Sequence, residues 1–303
     1  MWCDSARGPA SPSPEFVPSR AMSLVSDHLR RHRGRLAFSY SLTVVENVFE
    51  LLYPFAIGLA VDGLLDDRWG GVGVLVAITV AHIVVSAVRQ LVDTRTFNRL
   101  YADIASDLVE RQRRDAVATS SVAGRTVLAG EYVEFLERDV AAAIAAAFAV
   151  FGSLFMLFLY DSIVFLVAAL MLLPVAFVDW WLMRRSGRIF RRLNDLGEHE
   201  VATIERGRNH EVRQHFGLVA RHWNRLSDTD VISWVVVEVL ALGLVVVTLV
   251  RATGGGNQIG DVFATIAYVW AYTAGLLALP AVVQRMSNLA DIRRRLDLAA
   301  SAS

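Results

Sequence analysis

The sequence predicts an all-α integral membrane protein with six membrane-crossing helices and two long cytosolic helical hairpins. Three observations predict it. Six apolar runs lie near 36–61, 72–92, 141–159, 162–183, 231–250 and 261–283. Their first, third and fifth connections are short, and their second and fourth are long. The arginines crowd on the side of the long connections. A hydrocarbon core needs about 20 apolar residues per helical span, and none of the runs alternates with the period of two that a strand requires.

A soluble helical bundle would need polar faces on these runs. AAAIAAAFAVFGSLFMLFL at 141–159 has none, and a helix that is apolar all round is buried in a core or in lipid. Orientation follows from the basic residues. Only Arg68 and Arg251 fall in the short joints, whereas Arg30, Arg31, Arg33 and Arg35 precede the first span. Arg111, Arg113 and Arg114 lie in the first long loop, Arg184, Arg185 and Arg188 open the second, and Arg293, Arg294 and Arg295 follow the last span. The positive-inside rule then places both termini and both long loops in the cytoplasm. A net charge of zero hides this asymmetry.

The chain divides into a tail at 1–21, a six-span unit at 22–298 and a short end at 299–303. Residues 1–20 hold four of the seven prolines and no periodic pattern, the composition of a disordered segment, and they lack the apolar core of a secretory signal. Met22 is an alternative start. Cys3, the only cysteine, lies in this tail, which excludes disulfides within the chain and cysteine-based metal sites. Pro54, Pro174 and Pro280 fall inside predicted spans, where each removes a backbone bond.

The first long connection, 93–140, has no proline and only Gly124 and Gly130 as breakers. The second, 184–230, repeats the design, with turns expected around Gly207 and Gly217. Arms of about 20 residues reach roughly 30 Å beyond the bilayer. Helices this long are marginal alone in water, so the arms call for a docking partner or self-association.

Several segments resemble the membrane domain of ABC exporters, over nearly all of 35–298. PFAIGLAVDGLL at 54–65 is similar to the end of that family's first span. GEYVEFLERDV at 130–140 resembles the segment after its first coupling tip, and IERGRNHEVRQHFGLVARHWNRL at 204–226 its second coupling region. IGDVFATIAYVWAY at 259–272 and ALPAVVQRMSNLADIRRRLD at 278–297 resemble the opening and the exit of its sixth span. One departure is SSVAGRTVLAG at 120–130, where the family carries aromatic residues.

The resemblance implies an exporter subunit in the cell membrane (the inner membrane where there are two). It also implies a homodimer or heterodimer around a central cavity. Coupling helices would fall near Ser120–Gly130 and Asn209–Phe216, with Val122, Arg125, Gly130, His210, Val212, Arg213 and Phe216 as contact candidates. Their partner would be an ATPase subunit that carries ATP and Mg.

The absence of lysine makes that subunit a separate one. All 30 basic residues are arginine, and a P-loop needs a lysine on the terminal phosphates. GGVGVL at 70–75 and TGGGNQIG at 253–260 are glycine-rich turns without nucleotide-binding spacing. The alternative is a scaffold or regulator on the same fold that no longer transports.

Within the spans, Ser39, Thr43, Glu46, Glu50 and Tyr53 are spaced four, three, four and three apart, so they share one helix face. An ionisable group at such depth faces a cavity or a partner. Two readings stand: a cavity wall that favours cationic amphiphiles, or a structural face paired to Arg89. Glu238, the lone acid of the fifth span, and Tyr268 and Tyr272 of the sixth complete the cavity candidates. Arg89 and Asp93 stand four apart and are placed to pair. Asp179 precedes a Trp pair that suits a membrane interface.

No catalytic residue, metal site or cofactor is predicted for this chain. His210 and His215 of HEVRQH are five apart, which points them away from each other on a helix. No G-x-S-x-G elbow occurs. The basic residues follow the membrane-side pattern and not a surface for nucleic acid.

Overall fold

The computed structural model describes residues 19–114, 119–206, 209–254 and 258–301. Every element among them is helical. Helix α1 (Ser19–Leu65) and α2 (Gly70–Arg114) form the first antiparallel pair. A third run follows as α3 (Thr119–Glu134), a π segment (Phe135–Asp139), α4 (Val140–Ala147), a second π segment (Phe148–Gly152) and α5 (Ser153–Tyr160). Then come α6 (Ser162–Arg206), α7 (Asn209–Gly254) and α8 (Ile259–Ser301).

Six stretches are long and apolar enough to cross a bilayer: Asp27–Leu65, Gly70–Glu110, Ala129–Tyr160, Ser162–Trp181, Val231–Gly254 and Ile259–Val283. They cover the six runs read from the sequence, the fourth falling two residues short. A helix of 47 residues such as α1 is about 70 Å long, more than twice the hydrocarbon thickness. The excess forms the arms. Pro54, Pro174 and Pro280 all sit inside helices.

Three glycines expected to break or turn the hairpins lie inside helices. Gly124 and Gly130 lie within α3, which begins at Thr119, after α2 has ended at Arg114. Gly217 lies within α7, and Gly207 is outside the described residues. An isolated glycine costs a helix only about 1 kcal/mol, which packing along a long arm overrides. Helix α1 also starts at Ser19, inside the segment read as tail.

Two apolar cores organise the bundle. One lies toward the short joints and unites the third run, α6, α7 and α8 through Leu157, Val164, Leu244, Val269, Tyr272 and Leu276. The other lies toward the hairpins, where Leu36 of α1 meets Phe97, Leu100 and Ile104 of α2 and Ala129 and Val133 of α3. Helices α6 and α7 pack on each other, and α6 also meets α5 and α8. The outward faces are apolar: Val76, Val80, Ile83 and Val84 of α2 and Leu166, Leu170 and Leu173 of α6 are all exposed, as lipid-facing residues must be.

The short joints are closed by local bonds. Asp67 adopts φ 54°, and the Arg68 N–H donates to the Gly63 carbonyl at 2.7 Å, so α1 reverses into α2 within four residues. Next to it α1 and α8 touch backbone to backbone. A Cβ on Gly58 would stand 2.7 Å from the Gly260 carbonyl oxygen. The Gly260 N–H in turn donates to Asp62 Oδ1 at 2.7 Å, which caps the start of α8. We predict that Gly58→Ala forces α1 and α8 apart and costs about 1–3 kcal/mol, the scale of an overpacked contact. Thermal unfolding in detergent measures it, and an unchanged midpoint would count against this packing.

Candidate functional site

The polar face of α1 lies against a matching face of α2. Ser39 Oγ donates to Asp93 Oδ1. Glu46 accepts from Ser86 Oγ and is ion-paired to the Arg89 guanidinium. Arg89 Nη1 also reaches Asp93 Oδ2 at 2.9 Å. The Tyr53 hydroxyl and His82 Nδ1 share a hydrogen bond of 2.9 Å, with the Phe49 ring stacked on the same imidazole at 6.3 Å. Toward the hairpins the series continues as His32 with Asp103 at 3.0 Å and His28 with Asp107 at 2.9 Å. Along α1 the steps are four, seven, seven and seven, so one seam runs roughly 38 Å from His28 to Tyr53.

Sequence reasoning anticipated Arg89 as a partner of this face and its pairing with Asp93, but missed His82 and Ser86. His82, Ser86, Arg89 and Asp93 repeat the steps of four, three and four seen on α1, and that match was the available signal. Glu46 and Asp93 are both under a tenth exposed, at 8% and 7%, and the Arg89 guanidinium lies between them. Within lipid such groups associate because the alternative is an unpaired polar group in hydrocarbon. Two carboxylates and one guanidinium form a network in which each member depends on the others.

Glu50 lies on the same stripe, but it is exposed and outside the α2 seam. It lines a cleft of about 90 Å³ with Asn47 and Pro54 of α1, Phe148 and Ser153 of the third run, and Tyr268 of α8. A larger opening of about 370 Å³ lies at the short joints between Asp62, Arg68, Tyr160 and Asp261. Two of its charges are already engaged, Asp62 by the Gly260 N–H and Arg68 by Asp66 at 2.6 Å.

The tyrosines of α8 are fully buried. The Tyr268 hydroxyl donates to the Leu51 carbonyl at 2.9 Å, and the Tyr272 hydroxyl to the Ala168 carbonyl at 2.7 Å. Both therefore pin α8 to its neighbours, and only Tyr268 borders the cleft. Glu238 is exposed on α7 and away from it. Asp179 accepts from Ser233 Oγ at 2.8 Å, tying α6 to α7.

At the tips, the side chains of Val122 and Arg125 lie outside the described residues. Gly130 packs under Tyr101, where a Cβ would meet the ring at 3.3 Å. His210, Arg213 and Phe216 are exposed on the first two turns of α7, and Val212 is half-buried. His215 is buried edge-on against Phe216 at 5.3 Å.

The Asp161 joint ties three helices. Its Oδ1 accepts from the Ile163 and Val164 N–H groups at 2.8 and 3.2 Å and so caps α6. Its Oδ2 accepts from Arg251 Nε at 3.0 Å, at the end of α7. Partial burial pushes this carboxyl up, but the two backbone N–H groups and Arg251 outweigh it and hold it below the usual carboxylate range.

A comparison with protein families now bears on the whole arrangement. The family described as ABC transporter transmembrane region matches residues 26–259. The chain belongs to this family. The match runs from the start of the α1–α2 seam through the hairpins to the opening of α8, so it covers both levers and most of the bundle. No match is found among curated proteins. The ABC transmembrane region described here is thus a multi-pass, transport-related membrane domain.

Two predictions follow from its polar contacts. Arg89→Leu leaves Glu46 and Asp93 buried without their cation and should destabilise the domain by about 3–5 kcal/mol. Adding Glu46→Gln and Asp93→Asn should recover most of that loss in denaturant unfolding; a triple variant no better than Arg89→Leu would refute the network. For Asp161, a depressed carboxyl stabilises the fold above its unfolded value of about 3.9, and that contribution is lost as pH falls through the folded value. Asp161→Asn keeps the cap and removes the charge. It should be less stable than the parent at pH 7 by at most about 1 kcal/mol, with the gap closing below about pH 4 in unfolding measured across pH. A gap that stays constant with pH would contradict the ion pair.

Proposed function

We propose that this ABC transmembrane region is the membrane subunit of an exporter, and that separate ATPase subunits binding ATP and Mg drive it. The observation that carries the reading is the pair of hairpin arms. Helix α6 runs 25 residues past Trp181, about 38 Å beyond the interface. At the tip of its hairpin α7 exposes His210, Arg213 and Phe216. An aromatic ring 44% exposed at the end of a charged lever suits a docking contact.

These 303 residues contain no lysine and so hold no P-loop, and the reading assigns nucleotide binding to the ATPase partner. The arginine distribution supports both termini and both tips in the cytoplasm of a cell membrane. There the tips meet soluble ATPase subunits, through Val122, Arg125 and Gly130 on the first hairpin and through His210, Val212, Arg213 and Phe216 on the second. Two copies, or this chain with a related one, enclose the substrate path. Binding of ATP by the partners draws the arms together, and the cavity between the helices then opens to the opposite side. Glu50 and Tyr268 border that path. Glu46, Tyr53 and Tyr272 hold its walls in place, and Glu238 lies on the outer face of α7.

The test is affinity purification of the full chain from its native membranes, followed by a Mg-dependent ATPase assay. An ATPase should co-elute, and Arg213→Glu combined with Phe216→Ala should lower its yield at least tenfold. If no ATPase accompanies the chain, the second reading, a membrane scaffold on a transporter fold, takes its place.

A further inference from the structure

The cleft beside Glu50 has features that packing does not require. Ser153 is fully buried, at 0% exposed, and its hydroxyl makes no hydrogen bond to the protein although it lines the cleft. A buried, unsatisfied hydroxyl costs about 1–3 kcal/mol. Two backbone irregularities flank it. Pro54 has no N–H, so the Glu50 carbonyl one turn earlier lacks its helical donor. On the facing wall the helix widens into the π segment Phe148–Gly152, directly before Ser153. Single π turns inside α-helices are frequent at functional sites.

We propose that this cleft is an intramembrane ligand subsite for the ammonium head group of a primary amine with an apolar tail. The inference rests on the reading above that the bundle forms a substrate path, and it names the chemistry of one station on it. The residues lining the cleft carry at least four acceptors: the Glu50 carboxylate, the Glu50 carbonyl, Ser153 Oγ and Asn47 Oδ1, the Asn47 amide nitrogen being spent on the Thr43 carbonyl. An ammonium group has three N–H donors and no acceptor, so a lining of acceptors suits it. Glu50 also supplies the opposite charge, and it is the acid of the α1 stripe that stands clear of Arg89.

The remaining wall suits the tail. Leu51, Phe148, Ala149 and the buried ring of Tyr268 offer apolar surface and no competing cation. About 90 Å³ holds a head group of a few heavy atoms, given a share of about 30 Å³ for each liquid water. A trimethylated head group offers no N–H donor and is bulkier, so the cleft should reject it. The tail leaves along the exposed side of Glu50.

Saturation binding of radiolabelled decylamine to the purified full chain in nanodiscs tests this, with empty nanodiscs as blank. The expected result is a saturable component for which decanol and decyltrimethylammonium compete at least tenfold less well than decylamine. Glu50→Gln and Ser153→Ala should each weaken binding by roughly tenfold, the scale of one charge-assisted hydrogen bond, and Ala149→Phe should abolish it by filling the cleft. Ser153→Ala has no bond to lose in the fold and removes an unsatisfied buried hydroxyl, so its unfolding midpoint should not fall below the parent's. No saturable component, equal competition by decanol, or unchanged affinity in both polar variants would overturn the site. Because this assay needs no ATPase, amine binding without an ATPase partner leaves the site standing and removes the transport reading. A partner ATPase without amine binding does the reverse.

Discussion

A buried polar group in a bilayer must find a partner inside the protein, and the rest of this structure follows from that constraint. Water competes weakly there, so each unpaired donor or acceptor costs several kcal/mol. The seam between α1 and α2 joins eleven side chains, from His28 and Asp107 at the hairpin end to Tyr53 and His82 within the membrane. It makes the two helices one rod that continues from mid-membrane into the hairpin arm. The second core, around Phe97 and Leu100, then fixes α3 to the same rod.

The other half of the bundle is joined differently. Helices α6 and α7 share apolar contacts and the Asp179–Ser233 bond, and they reach the rest through α5, α8 and the Asp161–Arg251 pair. Pro174 and Pro280 lie inside α6 and α8, where each removes a backbone donor.

Much of this was legible in the sequence. Run length and arginine placement fixed six spans and two long hairpins, because lipid thickness and charge asymmetry act on composition alone. The breaks expected at Gly124, Gly130 and Gly217 do not occur, since a glycine weakens a helix too little to end one that packing supports. The α1 stripe was visible, but its direction was not. Two readings of Glu46 stood open until α2 presented Ser86 and Arg89 to it. Ser153 carried no signal at all, as one serine in an apolar run is unremarkable until its neighbours are known.

The account's central claim is that the seam consumes Glu46 and leaves Glu50 to face the cleft. It can be tested by cysteine accessibility in a Cys3→Ser background, which removes the only native thiol. Glu50→Cys and Glu46→Cys would each be exposed to a membrane-impermeant maleimide in sealed vesicles and in open ones. The account predicts rapid labelling at position 50 and little at position 46. Labelling at position 46 as fast as at position 50 would contradict it.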